Sequence, residues 1–126
     1  MLFDHTKKIH PDPFDAVVRG FKRFEVRQFD EPWASGETLL LREWNPADYE
    51  AWCKAASVSA YPSRDEKNGH PDQEAMDIRA EANHRAFTGQ SYACRVTYIV
   101  KPGSYGLPTN MIVFGIEPLT ALEAQQ

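Results

Sequence analysis

Residues 17–30, VVRGFKRFEVRQFD, decide how this chain is read. The stretch holds four basic residues, Arg19, Lys22, Arg23 and Arg27, and one glutamate, Glu25, threaded through an apolar alternation. From Lys22 to Phe29 the pattern has period two. It predicts a strand with Phe24 and Val26 on one face and Arg23, Glu25 and Arg27 on the other. The plain reading of such a face is a solvated one, whose ion pairs are worth under about 1 kcal/mol each. The sharper reading is a recognition pocket. An arginine fork grips a phosphate or a base carbonyl at two points, a lysine supplies a point charge, and a carboxylate accepts from an exocyclic amine.

Working outward, residues 7–11, KKIHP, read as a short opening strand. Residues 12–20, DPFDAVVRG, carry the marks of a short helix. Asp12 suits the N-cap, Pro13 the first helical position, and Phe14, Val17 and Val18 form the apolar stripe. Arg19 and Gly20 suit its end. Downstream, 30–37 is a turn region, and TLLLREW, residues 38–44, is a strand whose three leucines predict burial on both faces. Residues 90–100 predict a strand with Tyr92, Cys94, Val96, Tyr98 and Val100 on a shared face. A Gly/Pro-rich loop and a final strand, MIVFGIEPL, follow. Residues 46–86 differ in character: a helical stretch at 46–57, a polar exposed loop at 61–73, and good helix formers with a thin apolar face at 73–86. We read this as one inserted, partly helical excursion; a stretch of this length in a compact domain has a function or lacks order. The strands, short length and Gly/Pro-rich turns predict an α+β fold, a small mixed β-barrel with flanking helices.

Bulk properties set the outer limits. The chain has 126 residues, enough for a single domain over 1–126 with one core. Its net charge is −4, which argues against broad binding of duplex DNA. The charge is uneven. Residues 1–28 carry six Lys/Arg against four acids, a net of +2, which leaves −6 for the rest. Apolar runs are too short to span a bilayer and the first residues lack a signal-peptide core, so a cytoplasmic protein with no membrane association is expected. Cys53 and Cys94 are isolated and expected to be reduced, buried thiols.

The segments HPDPFDAVVRGFKRFEVRQFD, SGETLLLREWN, FTGQSYACRVTYIV and YGLPTNMIVFGI occur in this order. Together they resemble the ASCH-like branch of the PUA-like superfamily, in particular a phage- and prophage-associated family catalogued as domain of unknown function 3850. The resembling pieces cover residues 5–45 and 87–117, and the GxKxxExR element falls on Gly20, Lys22, Glu25 and Arg27. The resemblance implies a PUA-like β-barrel with a helix-flanked cleft and, by analogy, RNA binding. Some ASCH proteins are similar to amidohydrolases that deacylate N4-acylated cytidine. Those use a lysine, a threonine three residues later and a distant glutamate. Lys22 matches the lysine, but Glu25 stands where the threonine would be, which tilts the reading from enzyme to binder. Residues 46–86 exceed the usual link between the EW and TG elements and inherit no role.

The ligand-binding candidates are therefore Lys22, Glu25 and Arg27, with Trp33, Tyr98 and Tyr105 as stacking platforms worth about 1–3 kcal/mol per base. Trp33 and Tyr105 lie in loops; Trp44 and Tyr98, on strands, suit a core better. If the chain is an enzyme, Lys22, Glu25 and Glu43 are the catalytic candidates, with Glu25 or Glu43 activating water. The plain alternative for Glu43 is a salt bridge to Arg42 or Arg95. His5, His10, His70 and His84 match no metal-ligand spacing, so neither metal nor other cofactor is expected. The leading expectation is a module that binds RNA, a nucleoside or a nucleotide. The alternatives are a small hydrolase acting on a modified cytidine-type nucleoside, and a phage protein that binds a host protein through 46–86. Oligomeric state is not encoded in any feature of the sequence.

Overall fold

A computed structural model describes residues 1–125. Five strands form one sheet: β1 (His5–Ile9), β2 (Phe24–Gln28), β3 (Thr38–Trp44), β4 (Phe87–Val100) and β5 (Met111–Pro118), in the order β1-β3-β4-β5-β2. Helices α1 (Pro11–Val18), α2 (Pro46–Ala55), α3 (Arg64–Lys67), α4 (Gln73–Arg85) and α5 (Ala121–Ala124) complete a mixed α+β fold. Two compact units can be distinguished. One is Met1–Arg42 together with the chain from Ser91 onward; the other is Glu43–Gln90.

In the first unit the sheet curls into a half-barrel. β1 and β2 are its two edges, yet Arg27 Nη1 on β2 donates to the Lys8 carbonyl on β1 at 3.1 Å. The core lies inside the curl, where Leu39, Leu41, Cys94, Val96, Ile112 and Phe114 are essentially inaccessible and α1 adds Phe14 and Val17. Burying each large apolar side chain here contributes about 1.5–3 kcal/mol. Leu39 and Leu41 are buried, while Leu40 is only half-buried.

The two faces of β2 are grouped as expected, and it is the charged one that turns inward. β2 pairs antiparallel with β5, Glu25 opposite Phe114 and Arg27 opposite Ile112. Residues directly opposite share a face, so the charged residues look toward the core. Glu25 is 2% exposed, whereas Phe24 and Val26 are 47% and 45% exposed. The solvated-face reading therefore fails for Glu25. Apolar alternation mispredicts the face because the charges compensate one another there.

β4 also departs from simple alternation. Val96 lies opposite Ile116, but Ile99 lies opposite Phe114, so β4 holds one extra residue between them. This bulge exchanges the faces. Ile99 joins the core and Tyr98, expected to be inward, is 67% exposed. Gly115 sits opposite the bulge, where an added Cβ would come within 2.4 Å of Thr97 Oγ1.

α1 starts two residues earlier than the sequence suggested. His10 is the N-cap, without a side-chain cap, and Pro11 rather than Pro13 opens the helix. The second unit holds α2, α3 and α4. Asn45 and Asp72 cap α2 and α4 through their side chains. The polar loop expected at 61–73 contains α3, a single turn closed by a reciprocal Ser63–Glu66 capping box. Trp44 belongs to this unit's interior and donates Nε1 to the Asn83 carbonyl at 3.1 Å. Trp52 is 38% exposed with the Arg85 guanidinium over its ring at 4.2 Å, while Cys53 is buried. Among the described residues no helix is long and apolar enough to cross a membrane.

Candidate functional site

The end of α1 aims the first functional side chain. Gly20 takes φ +78°, a left-handed conformation that a residue without Cβ adopts at no steric cost. Phe21 and Lys22 then both donate their N–H to the Ala16 carbonyl, at 2.9 and 3.0 Å. This turn fixes Lys22 three residues ahead of Glu25. Lys22 Nζ donates to Glu25 Oε1 at 2.8 Å, and Arg27 donates Nε to Glu25 Oε2 at 3.0 Å, with its Nη2 paired to the same oxygen at 2.9 Å. The third contact of Arg27 is the Lys8 carbonyl across the seam of the half-barrel.

These three residues, predicted from the sequence, do come together, and a cavity of about 360 Å3 opens beside them. β1 and α1 supply Lys8, Ile9, His10 and Pro13; Lys22, Glu25, Val26 and Arg27 complete the lining. The cavity sits where the sheet stops short of closing, between its two edge strands. Partial burial holds the Lys8 amine below the usual lysine range. His10 and Lys8 were not singled out by sequence reasoning as members of the site. Their position on β1 and just after it, opposite an edge strand distant in sequence, left no local signal.

The hydrogen-bond inventory shows what the cluster can still do. A carboxylate offers about four lone-pair positions. Glu25 accepts once on Oε1 and once on Oε2, and Arg27 Nη2 crowds the second oxygen, which leaves Oε1 able to accept once more. Lys22 uses one of its three N–H donors in these hydrogen bonds, and Arg27 two of its five. A buried acceptor and several donors thus converge on one cavity, flanked by apolar Ile9, Pro13 and Val26. That combination suits a small planar group with both donors and acceptors on its edge.

The other candidates are placed elsewhere. Trp33 is enclosed: His5 stacks on it at 3.7 Å and Phe114 at 4.5 Å, so both of its neighbours are protein rings. His5 in turn faces Glu31 through Nδ1 and Glu37 through Nε2, each at 3.1 Å. Tyr105 is 92% exposed at φ +51° in the loop after β4. Neither Tyr98 nor Tyr105 lines the cavity. Glu43 lies in the second unit and accepts from Thr88 Oγ1 at 2.7 Å. Arg95, one expected partner of Glu43, is engaged instead with Glu123 at 2.7 Å and the Gly36 carbonyl at 2.7 Å. No metal-ligand cluster occurs among the described residues.

Both cysteines are buried. Cys94 lies behind the cluster, with Sγ 3.5 Å from the Leu39 carbonyl. Burial, assisted by the Glu25 carboxylate, pushes its thiol up to about 12. In the second unit, Trp52, Ala55 and Ile78 form the floor of an apolar groove of about 690 Å3 rimmed by Glu74, Asp77 and Glu81.

Comparison with known proteins gives one similar phage protein and one matching family model. A protein of Escherichia phage P2, described as "Uncharacterized 12.9 kDa protein in GpA 3'region", is 45% identical over 40 residues. That match covers 32% of this chain and 37% of the phage protein, so little more than a third of the relative's length is spanned. A family model described as "Domain of unknown function (DUF3850)" matches residues 4–116, from before β1 into the last strand. The chain, with its curled sheet and its Lys22–Glu25–Arg27 cluster built on a buried glutamate, belongs to the DUF3850 family.

Proposed function

We propose that the chain is a base-recognition module: an ASCH-like, PUA-like half-barrel whose seam cavity takes a flipped base, a modified nucleoside or the end of a short RNA. The carrying observation is Glu25, 2% exposed, with hydrogen-bonding capacity left over beside a cavity of about 360 Å3. A carboxylate withdrawn from water needs compensation. Lys22 and Arg27 supply it, and the donors and the acceptor left over can read an amine and a carbonyl on one base edge. Recognition then runs through hydrogen bonds and shape, with little backbone electrostatics. Affinity for uncharged nucleosides, measured from low to physiological salt, should change little with salt. A steep loss over that range contradicts the reading.

The hydrolase alternative has less support. Both Glu25 oxygens are already occupied by cations, and Glu43 is held by Thr88 in the other unit. Binding of a host protein through residues 46–86 has a specific observation in its favour, the acid-rimmed apolar groove. Its chemistry suits a helix that presents one large apolar side chain between lysines or arginines. A synthetic amphipathic Leu/Lys helix should bind wild type and lose affinity on Ile78→Arg; equal affinity for both forms contradicts this reading.

A further inference from the structure

Lys22 lines a second cavity as well as the one beside Glu25. This larger hollow, about 660 Å3, is walled by Val17, Tyr92 and Ile116 and carries Arg19, Arg23 and Glu117. Its two arginines are lightly held. Arg23 donates only Nε, to the Gly20 carbonyl at 3.2 Å. Arg19 Nε lies 3.1 Å from Asp15 in a pair exposed on both sides, where such pairs are worth little. Each guanidinium therefore keeps N–H pairs in fork geometry beyond these contacts.

The electrostatics of the two hollows differ. The smaller one contains the Glu25 carboxylate, which repels an anion. The larger one is lined by three cations, Arg19, Lys22 and Arg23, and the single carboxylate Glu117, while Asp15 and Glu25 pair with Arg19 and Lys22 from outside its lining and leave Arg23 without a carboxylate partner among the described residues. A locally positive hollow on a chain of net charge −4 suits a small anion and not a duplex. Arginine forks match phosphate oxygens bidentately.

Resting on the base-recognition reading above, we propose that the ligand is a phosphorylated nucleoside. Its base lies beside Glu25 and Arg27, and its phosphate lies across Lys22 on Arg19 and Arg23. Lys22 serves both halves, since it contacts Glu25 with one donor and keeps two. A free mononucleotide and the end of a single strand share this chemistry.

The test is calorimetric titration of the full chain with the four common ribonucleosides, their 5′-monophosphates and a 5′-phosphorylated trinucleotide. Wild type and the Arg19→Ala, Arg23→Ala double variant are compared. Both side chains are exposed, so the variant should fold normally; Arg19→Gln, Arg23→Gln serves if it does not. The expected result is a monophosphate bound at least tenfold more tightly than its nucleoside. That gain should vanish in the variant while nucleoside affinity stays unchanged. The same arginine dependence seen only with the trinucleotide supports the phosphate site and names a strand end as its source. Equal affinities for nucleoside and monophosphate overturn the phosphate site and leave the base cavity standing. A gain that survives in the variant overturns the assignment to Arg19 and Arg23. Absence of binding by every probe overturns both readings together.

Discussion

Glu25 and Glu66 are both withdrawn from solvent and both held by arginine, one in each unit of the molecule. Arg79 grips Glu66 fork to fork, Nη1 to Oε2 at 2.7 Å and Nη2 to Oε1 at 3.1 Å. Its Nε goes to the Ser59 carbonyl at 2.8 Å, and Glu66 also closes the Ser63 capping box. Every partner there is structural: the pair fastens α3 and the segment before it to α4. Glu25 is different. Its partners come from its own strand and from the turn just before it, one of them bridges the two sheet edges, and the group opens on a cavity. The lesson is that burial of an ion pair does not by itself mark a site. What distinguishes the two is the hydrogen-bonding capacity left over and the space to use it.

The largest expected effect is at Glu25. Glu25→Gln leaves Lys22 and Arg27 without their shared counter-charge, and breaking a buried pair costs about 3–5 kcal/mol. Chemical denaturation should show that loss, together with loss of ligand response. Stability within about 1 kcal/mol of wild type would mean that water screens the cluster as it does an exposed pair.

Acid sharpens the same comparison. The Arg79 guanidinium, more than any other group, holds the Glu66 carboxyl below its ordinary value of 4.5, with the Ser63 backbone assisting. A carboxyl depressed in the folded state contributes fully above its unfolded value and loses that contribution as pH falls through the folded one. Helical signal from the second unit should therefore weaken below about pH 4.5 in wild type, and Glu66→Gln should flatten that dependence without altering ligand affinity. An unchanged acid profile in the variant contradicts the assignment.

Gly115 comes next. An added methyl meets Thr97 at the bulge, and overpacking of this kind costs about 1–3 kcal/mol. Gly115→Ala with Thr97→Ser, which removes only the Thr97 methyl, should stay destabilised, whereas Gly115→Ala with Thr97→Ala should recover. The smallest effects lie at Tyr105 and Cys94. Tyr105→Ala should change stability by no more than about 0.5 kcal/mol. The Cys94 thiol, at about 12 and inaccessible, should resist alkylation in the native protein and react on unfolding.

The sequence made the strands legible where burial was strong and local. TLLLREW is β3 residue for residue, and Lys22, Glu25 and Arg27 were grouped from spacing and resemblance. The inward turn of β2 was not legible. Alternation places apolar residues inside, and only the distant β5 register, Glu25 against Phe114, reveals the reverse. Tyr98 was misplaced because a one-residue bulge leaves no mark in an apolar run. α3 was missed although Ser63 and Glu66 stand at capping-box spacing; two prolines and a glycine around it outweighed that signal. Trp33 looked available because it lies in a loop, but His5, 28 positions earlier in the chain, covers it.

The central claim is that the Glu25 cavity is a site and not only a stitch across the seam. The most direct measurement is ligand-induced thermal shift of wild type and Lys22→Ala against nucleosides, nucleotides and short RNAs. At a hundred times its dissociation constant a ligand stabilises by about 2.7 kcal/mol, several degrees for a domain of this size. The account predicts such a shift for at least one base-bearing ligand and its loss in Lys22→Ala. No shift with any ligand, or a shift of equal size in the variant, would contradict it.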